Sequence, residues 1–154
     1  MIKIGEKLEE LTFIFDDNKN VSSQKFIGKK TIIYFYPKDD TPGCTKEAIE
    51  FSQLAEKFNK INVEIIGVSK DSIEKHQKFR SKHNIKIRLA SDENINICKK
   101  FDVWSEKSMY GKKFMGIERS TFVFDEDLIL KKIWRKVKVN GHAKEVYDFL
   151  SSLT

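Results

Sequence analysis

The chain has 154 residues, with only two cysteines, two prolines and no long apolar run. Two cysteines cannot supply the disulfide framework of a small secreted domain, so a reactive thiol in a reducing compartment is the more natural use. Spanning a bilayer takes about 20 apolar residues, and no membrane segment is expected. Residues 1–7 lack the apolar stretch of a secretory signal. These absences predict a cytoplasmic protein without a membrane partner.

Several functional motifs are also missing. The sequence contains no C-x-x-C pair, no glycine-rich phosphate loop and no dinucleotide fingerprint. His76 and His83 are seven residues apart with no third ligand at metal spacing. We therefore expect no cofactor and no metal. Repeats and linkers are absent too, so residues 1–154 are predicted to form one domain.

The charge is basic but mixed. Twenty-nine lysines and arginines are interleaved with 23 acidic residues, giving a net charge of +6. The densest basic run, residues 131–138, alternates like an exposed strand, and no groove-reading motif accompanies it. A solvated surface explains this pattern better than a nucleic-acid partner, although a basic binding module remains an alternative.

One cysteine lies where a buried strand leads through a turn into a helix. Residues 31–36 are β-branched or aromatic, as in a strand covered on both faces. Apolar residues then recur at helical spacing from Ala48, predicting a helix to about Asn59. Cys44 falls in the first turn, where free N–H groups and the helix dipole favour a thiolate. A lone cysteine is more often a buried hydrophobe, but this Thr-Pro-Gly turn favours a catalytic role.

The remaining pattern predicts an α/β fold with a mixed sheet. A short helix opens at Ser22, residues 105–118 form a loop, and the last helix turns Phe149 and Leu153 inward. Further strands are predicted at residues 11–15, 63–69, 88–91, 120–124 and 128–134, and further helices at 72–83, about 95–101 and 142–153.

The string FYPKDDTPGCTKEA, residues 35–48, resembles the active-site signature of peroxiredoxins, in particular the peroxiredoxin Q or bacterioferritin comigratory protein subgroup. Other segments follow in the order that this subgroup shows. They are IGEKL at 4–8, IGVSKD at 66–71, RSTFVFD at 119–125 and WRKVK at 134–138 followed by GHA at 141–143. The resemblance covers nearly the whole chain.

The resemblance implies a thioredoxin-like fold, with a central mixed sheet flanked by helices, and a thiol peroxidase. Its substrates would be hydrogen peroxide and alkyl hydroperoxides, which oxidise the Cys44 thiolate to sulfenic acid. Thr41 would bind the peroxide, Pro37 would shield the sulfur, and Gly43 would allow close approach of substrate. Arg119 would supply the cation beside the thiolate. A peroxide sensor that passes oxidation to another protein is the alternative.

The chain departs from many subgroup members in how it would reduce the oxidised cysteine. Those members carry a second cysteine five residues after the first, where this sequence has Ile49. The remaining thiol, Cys98, lies among apolar neighbours and reads more readily as buried, although a resolving role stays open. This departure therefore favours one catalytic cysteine, re-reduced by thioredoxin or another external thiol, and the resemblance implies a monomer or weak dimer.

Overall fold

A five-stranded sheet forms the centre of the protein, whose computed structural model describes residues 1–153. In chain order the strands are β1 (Thr12–Ile14), β2 (Asn20–Ser22), β3 (Lys30–Phe35), β4 (Val63–Ser69), β5 (Arg88–Ser91), β6 (Trp104–Met109), β7 (Lys112–Ile117), β8 (Ser120–Phe124) and β9 (Leu130–Trp134). The helices are α1 (Pro42–Gln53), α2 (Ala55–Lys60), α3 (Ile73–His83), α4 (Asn96–Lys100) and α5 (His142–Ser152), with a 3₁₀ turn at Ser23–Phe26. No helix within residues 1–153 has the length and apolar character that crossing a membrane requires.

The central sheet is mixed, as the sequence predicts. Its order is β5-β4-β3-β8-β9. Strand β4 runs parallel to both β3 and β5, because helices connect these three strands. Strand β8 is antiparallel to β3 and to β9. Strand β3 lies at the centre, so the turn that follows it starts from a strand that is hydrogen-bonded to a neighbour on each side.

The sheet separates two apolar cores. Side chains alternate along a strand, so Tyr34 of β3 faces one core while Ile33 and Phe35 face the other. Helices α1, α2, α3 and α5 cover the Tyr34 side, and the β1–β2 hairpin and α4 cover the opposite side. Cys44 packs in the first core and Cys98 in the second. The two cysteines therefore lie on opposite sides of the sheet.

The prediction of a loop at residues 105–118 is wrong. This segment forms an antiparallel hairpin, β6 paired with β7. Tyr110 and Gly111 connect the strands with positive φ values of 52° and 76°, the backbone that a two-residue hairpin turn requires. The hairpin is largely exposed and therefore lacks the alternation of apolar residues by which a strand is usually recognised.

Two helix predictions also need correction. The helix that begins before Cys44 does not continue to Asn59, because it is interrupted at Leu54 and resumes as α2. Leu153 is 41% exposed at the end of α5 and is not part of the core. The predicted cap at Ser22 is confirmed, since its side chain accepts a hydrogen bond from the backbone of Gln24.

Gly67 of β4 gives a test of how tightly the Tyr34 side is packed. A Cβ atom at this position would lie 2.9 Å from the Tyr34 ring and hydroxyl, which is too close for a real contact. We expect Gly67→Ala to lower the free energy of unfolding by about 1–3 kcal/mol in urea denaturation. Gly116→Ala is the control, because its Cβ would lie 3.3 Å from the flexible Lys107 side chain and at an ordinary contact distance of 3.6 Å from the Phe114 ring, so it should cost less than about 1 kcal/mol. Equal effects of the two substitutions would contradict the packing argument.

Candidate active site

Cys44 is the third residue of α1 and is 2% exposed. Proline is favoured at the first position of a helix, and Pro42 occupies it here. The first helical hydrogen bond runs from the Thr45 N–H to the Thr41 carbonyl. The N–H groups of Gly43 and Cys44 precede that bond and have no acceptor within the helix. The sulfur thus lies at the positive end of α1, as the sequence predicts.

Arg119 immediately precedes β8, and its side chain contacts Cys44. Its Nη2 donates to the Cys44 sulfur over 3.3 Å, and its Nη1 donates to Glu47 Oε1 over 2.7 Å. Gly43 makes room for this arrangement, since a Cβ there would lie 3.2 Å from Arg119 Nη2. The structure therefore brings together Cys44, Gly43 and Arg119, and it shows that the missing side chain of Gly43 admits the guanidinium.

Glu47 is the acidic partner that balances this charge. It lies one helical turn after Cys44 on the same face of α1, with its side chain 1% exposed. Burial raises the pKa of Glu47 to about 7, although the Arg119 charge acts in the opposite direction. Its Oε2 is buried without a hydrogen-bond partner. The unpaired oxygen and the raised pKa both indicate that the ionised carboxylate is less stable in this buried position than in water.

Thr41 and Pro37 lie in the connection between β3 and α1, and we call residues 37–41 the active-site segment. The Thr41 hydroxyl donates to the Lys38 carbonyl over 2.8 Å and makes no cap bond to α1. Its proton is thus committed, which leaves the oxygen lone pairs to accept from a substrate. Pro37 is half-buried after the end of β3. Roles for both residues in peroxide binding stay predictions.

Two further titratable groups are influenced by the site. Burial and then the Arg119 charge lower the pKa of Lys107, on β6, while the Cys44 and Glu118 charges raise it. Burial and Arg119 also lower the pKa of His142 to about 4, which keeps the ring neutral at pH 7. His142 Nε2 lies 2.8 Å from the hydroxyl oxygen of Thr121, in a packed interior.

Cys98 differs from Cys44 in its surroundings. It is fully buried on α4, and its N–H donates to Asp92 Oδ2 over 2.8 Å. Burial, reinforced by the Asp92 charge, raises the pKa of the Cys98 thiol far above its usual range. A thiol that stays protonated is a poor nucleophile. These surroundings suit a packing role.

Sequence reasoning missed Glu47 and Lys107. The available sign for Glu47 was its position three residues after Cys44, on the stripe that also carries Ala48 and Phe51. A charged residue on an otherwise apolar helix face points to a buried partner. Lys107 gave no such sign, because its place depends on a hairpin that the apolar pattern does not reveal.

Comparison with known proteins agrees with this geometry. Residues 4–133 match the model of the AhpC/TSA family. The Bacillus subtilis protein "Peroxiredoxin Bcp" is 45% identical over 153 residues, covering 99% of this chain and 98% of that protein. "Putative peroxiredoxin bcp" of Coxiella burnetii is 44% identical over 145 residues, covering 94% and 96% of the two chains. This chain belongs to the AhpC/TSA family, in its peroxiredoxin Bcp subgroup.

Solved peroxiredoxin structures share the fold. A cysteine-to-serine mutant of Xylella fastidiosa PrxQ superimposes with a TM-score of 0.94 at 36% identity, covering 99% of this peroxiredoxin and 97% of that chain. The Xanthomonas campestris bacterioferritin comigratory protein, studied for alkyl peroxide reduction activity, gives a TM-score of 0.88 at 41% identity, with coverage of 92% and 90%. The thioredoxin-like fold expected from the resemblance is confirmed.

Glu47 of this peroxiredoxin makes stability depend on pH. The folded protein holds the Glu47 proton more tightly than the unfolded chain does, because burial moves its pKa from 4.5 to about 7. Its contribution to stability is complete below pH 4.5 and is lost as the pH rises to about 7. Relative to Glu47→Gln, the unfolding free energy should fall by on the order of 2–3 kcal/mol over this range. Urea denaturation at stepped pH checks this, and parallel profiles would contradict it.

Proposed function

We propose that this chain reduces hydrogen peroxide and alkyl hydroperoxides with Cys44 as the peroxidatic residue, and that an external thiol restores it. The observation that carries the proposal is the hydrogen bond from Arg119 to the Cys44 sulfur at the start of α1. A guanidinium stays charged at any relevant pH and presents several donors in fixed directions. It can therefore hold a thiolate and a bound peroxide oxygen at the same time.

The first step transfers one oxygen atom to sulfur. The Cys44 thiolate attacks the nearer oxygen of ROOH, the S–O bond forms as the O–O bond breaks, and the products are Cys44 sulfenic acid and RO⁻. The leaving oxygen takes a proton from water to give an alcohol or, for hydrogen peroxide, water. Charge grows on that oxygen in the transition state. In the proposed mechanism, Arg119 and the N–H groups of Gly43 and Cys44 are the donors that stabilise it.

Two external thiols complete the cycle. The first displaces water from the sulfenic acid and forms a mixed disulfide with Cys44, and the second releases the Cys44 thiol and an oxidised disulfide product. Cys98 is a poor candidate for the first of these thiols, because it lies in the core on the opposite side of the sheet and stays protonated. Disulfide formation requires Cα atoms within about 7 Å. We therefore propose a mechanism that uses one cysteine.

A protein thiol such as thioredoxin is our proposed reductant, and the cytoplasm is the proposed setting, because such thiols are kept reduced there. A monomer or weak dimer, without a nucleic-acid partner, also remains a prediction. The alternative function is a sensor, in which the oxidised Cys44 is attacked by a target protein. A sensor would show one oxidation event and little sustained turnover with a small thiol.

Substitution of each cysteine tests the assignment. Cys44→Ser should abolish peroxide consumption in the presence of dithiothreitol, because serine is not ionised at neutral pH. Cys98→Ser is the matched control and should keep a rate within about threefold of the parent protein. Turnover that survives Cys44→Ser would rule out the proposed function. Parent protein that is oxidised once and then stops would favour the sensor.

Intact mass distinguishes the two ways of resolving the sulfenic acid. After one equivalent of peroxide without added thiol, we expect the protein to gain one oxygen, located at Cys44 by peptide mapping. The gain should persist in Cys98→Ser. A loss of two hydrogens in the parent protein, absent from Cys98→Ser, would instead show a bond between the cysteines and would contradict the one-cysteine mechanism.

A further inference from the structure

Asp39 of the active-site segment belongs to a buried polar cluster. Asp39 is at its centre, and His76 of α3 contacts it with Nδ1 lying 2.6 Å from Asp39 Oδ2. The hydroxyl of Tyr36 donates to the other carboxyl oxygen of Asp39, also over 2.6 Å. The His76 side chain is fully buried, and that of Asp39 is 5% exposed. Such a set of polar groups is stable in an interior only when its members satisfy one another.

The proton positions follow from the acceptors. His76 Nε2 lies 3.0 Å from the carbonyl oxygen of Ala90, which can only accept, so this nitrogen carries a proton. The 2.6 Å contact between His76 Nδ1 and Asp39 Oδ2 is a second hydrogen bond of the ring, and it joins the two side chains. Asp39 is therefore held at both carboxyl oxygens. The His76 ring is in turn fixed in orientation by its contact with Ala90 of β5, a strand that is remote from the active-site segment in the sequence.

The Asp39 backbone is held as well. Its N–H donates to Asp71 Oδ2 over 2.8 Å, and the same oxygen accepts the Ser69 hydroxyl over 2.6 Å. Ligand atoms of Asp39, Asp71 and His76 lie within 4.8 Å of one another, close enough to hold a metal ion. Each of these side chains already has hydrogen-bond partners inside the cluster, and a metal would have to displace them. These contacts favour a structural role for the cluster, which holds the active-site segment in place.

That role concerns Thr41 and Cys44, which follow Asp39 by two and five residues in the sequence. Fixing Asp39 fixes the path by which the chain enters α1. The position of the Thr41 hydroxyl and the direction of the first N–H groups of α1 depend on that path. None of the cluster residues is among the donors assigned to the peroxide.

We propose that His76 is a positioning residue of the peroxide site. Acting through Asp39, it holds the active-site segment closed and sets how readily this segment opens to expose oxidised Cys44. The proposal rests on the proposed peroxidase function. A peroxide is small enough to react in the closed site, whereas a thiol must reach a sulfur that is 2% exposed. Loosening the segment should slow peroxide reduction and speed re-reduction by a thiol.

Two substitutions of His76 separate its contacts. His76→Gln places an amide near the former Nε2, where it can bond to Ala90 but not to Asp39. His76→Asn places an amide near the former Nδ1 and keeps a donor to Asp39. We expect His76→Gln to lower the rate constant for peroxide about tenfold or more, with faster reduction of the sulfenic acid by dithiothreitol. His76→Asn should restore most of the parent behaviour in both half-reactions.

His83→Gln is the control, because His83 is also on α3 and contacts the neighbouring Asp40, but at the surface. Both rates should stay near those of the parent protein, since exposed ion pairs contribute little. The half-reactions are measured separately, by limiting peroxide and then by added dithiothreitol. Parent rates in His76→Gln would overturn the proposal. So would a loss of both rates in both His76 variants, which would indicate packing alone.

A second variant covers the case in which His76→Gln does not fold. Tyr36→Phe removes one donor to Asp39 and keeps the ring. It should slow the reaction with peroxide and speed reduction of the sulfenic acid, each by about threefold. Unchanged rates there would overturn the proposal. Amide hydrogen exchange gives a readout independent of activity. Residues 38–45 should exchange roughly tenfold faster in His76→Gln than in His76→Asn. If the parent protein consumes no peroxide, the proposed function fails while this measurement still tests how His76 holds the segment.

Discussion

The contact between the Arg119 guanidinium and the Cys44 sulfur is the interaction on which the site depends. It requires a charged side chain in a half-buried position, where an unbalanced cation would be costly. Glu47 supplies the balancing carboxylate, and Gly43 leaves the space in which the guanidinium lies. The sulfur, the cation and the acid thus form one unit. A change in any one of them alters the charge felt by the other two.

The central sheet imposes the second constraint. It keeps Cys44 and Cys98 in separate cores, so a covalent bond between them would require rearrangement of packed side chains on both faces. Under the proposed mechanism, every pair of electrons delivered to a peroxide must then enter from outside the protein.

Local sequence patterns identified the features that depend on neighbouring residues. The apolar run before Pro37 and the helical stripe after Ala48 placed Cys44 at a helix start without reference to the rest of the chain. Contacts between distant residues could not be derived in this way. Arg119 is 75 residues from Cys44 in the sequence, and only the family resemblance selected it among 29 basic residues.

The errors had the same physical origin. The β6–β7 hairpin is exposed, so its sequence carries no apolar alternation, and its pairing is evident only in three dimensions. In the sequence, His76 stands out only by its spacing from His83, and its partner Asp39 lies 37 residues earlier. Periodicity predicts which face of a helix is buried. It does not predict which polar group on another element will meet a buried histidine.

The two aspartates of the active-site segment, Asp39 and Asp40, differ in how much their contacts hold the segment closed. Asp40 contacts Lys82 and His83 at the protein surface, where water competes for each partner and salt screens the charges. Asp39 faces inward, where water is absent and an unpaired group would be costly. Opening the segment exposes both residues to water, but only Asp39 loses contacts that water cannot already replace. The buried side of the segment therefore controls the balance between a closed site suited to a small peroxide and an open site that a larger thiol can reach.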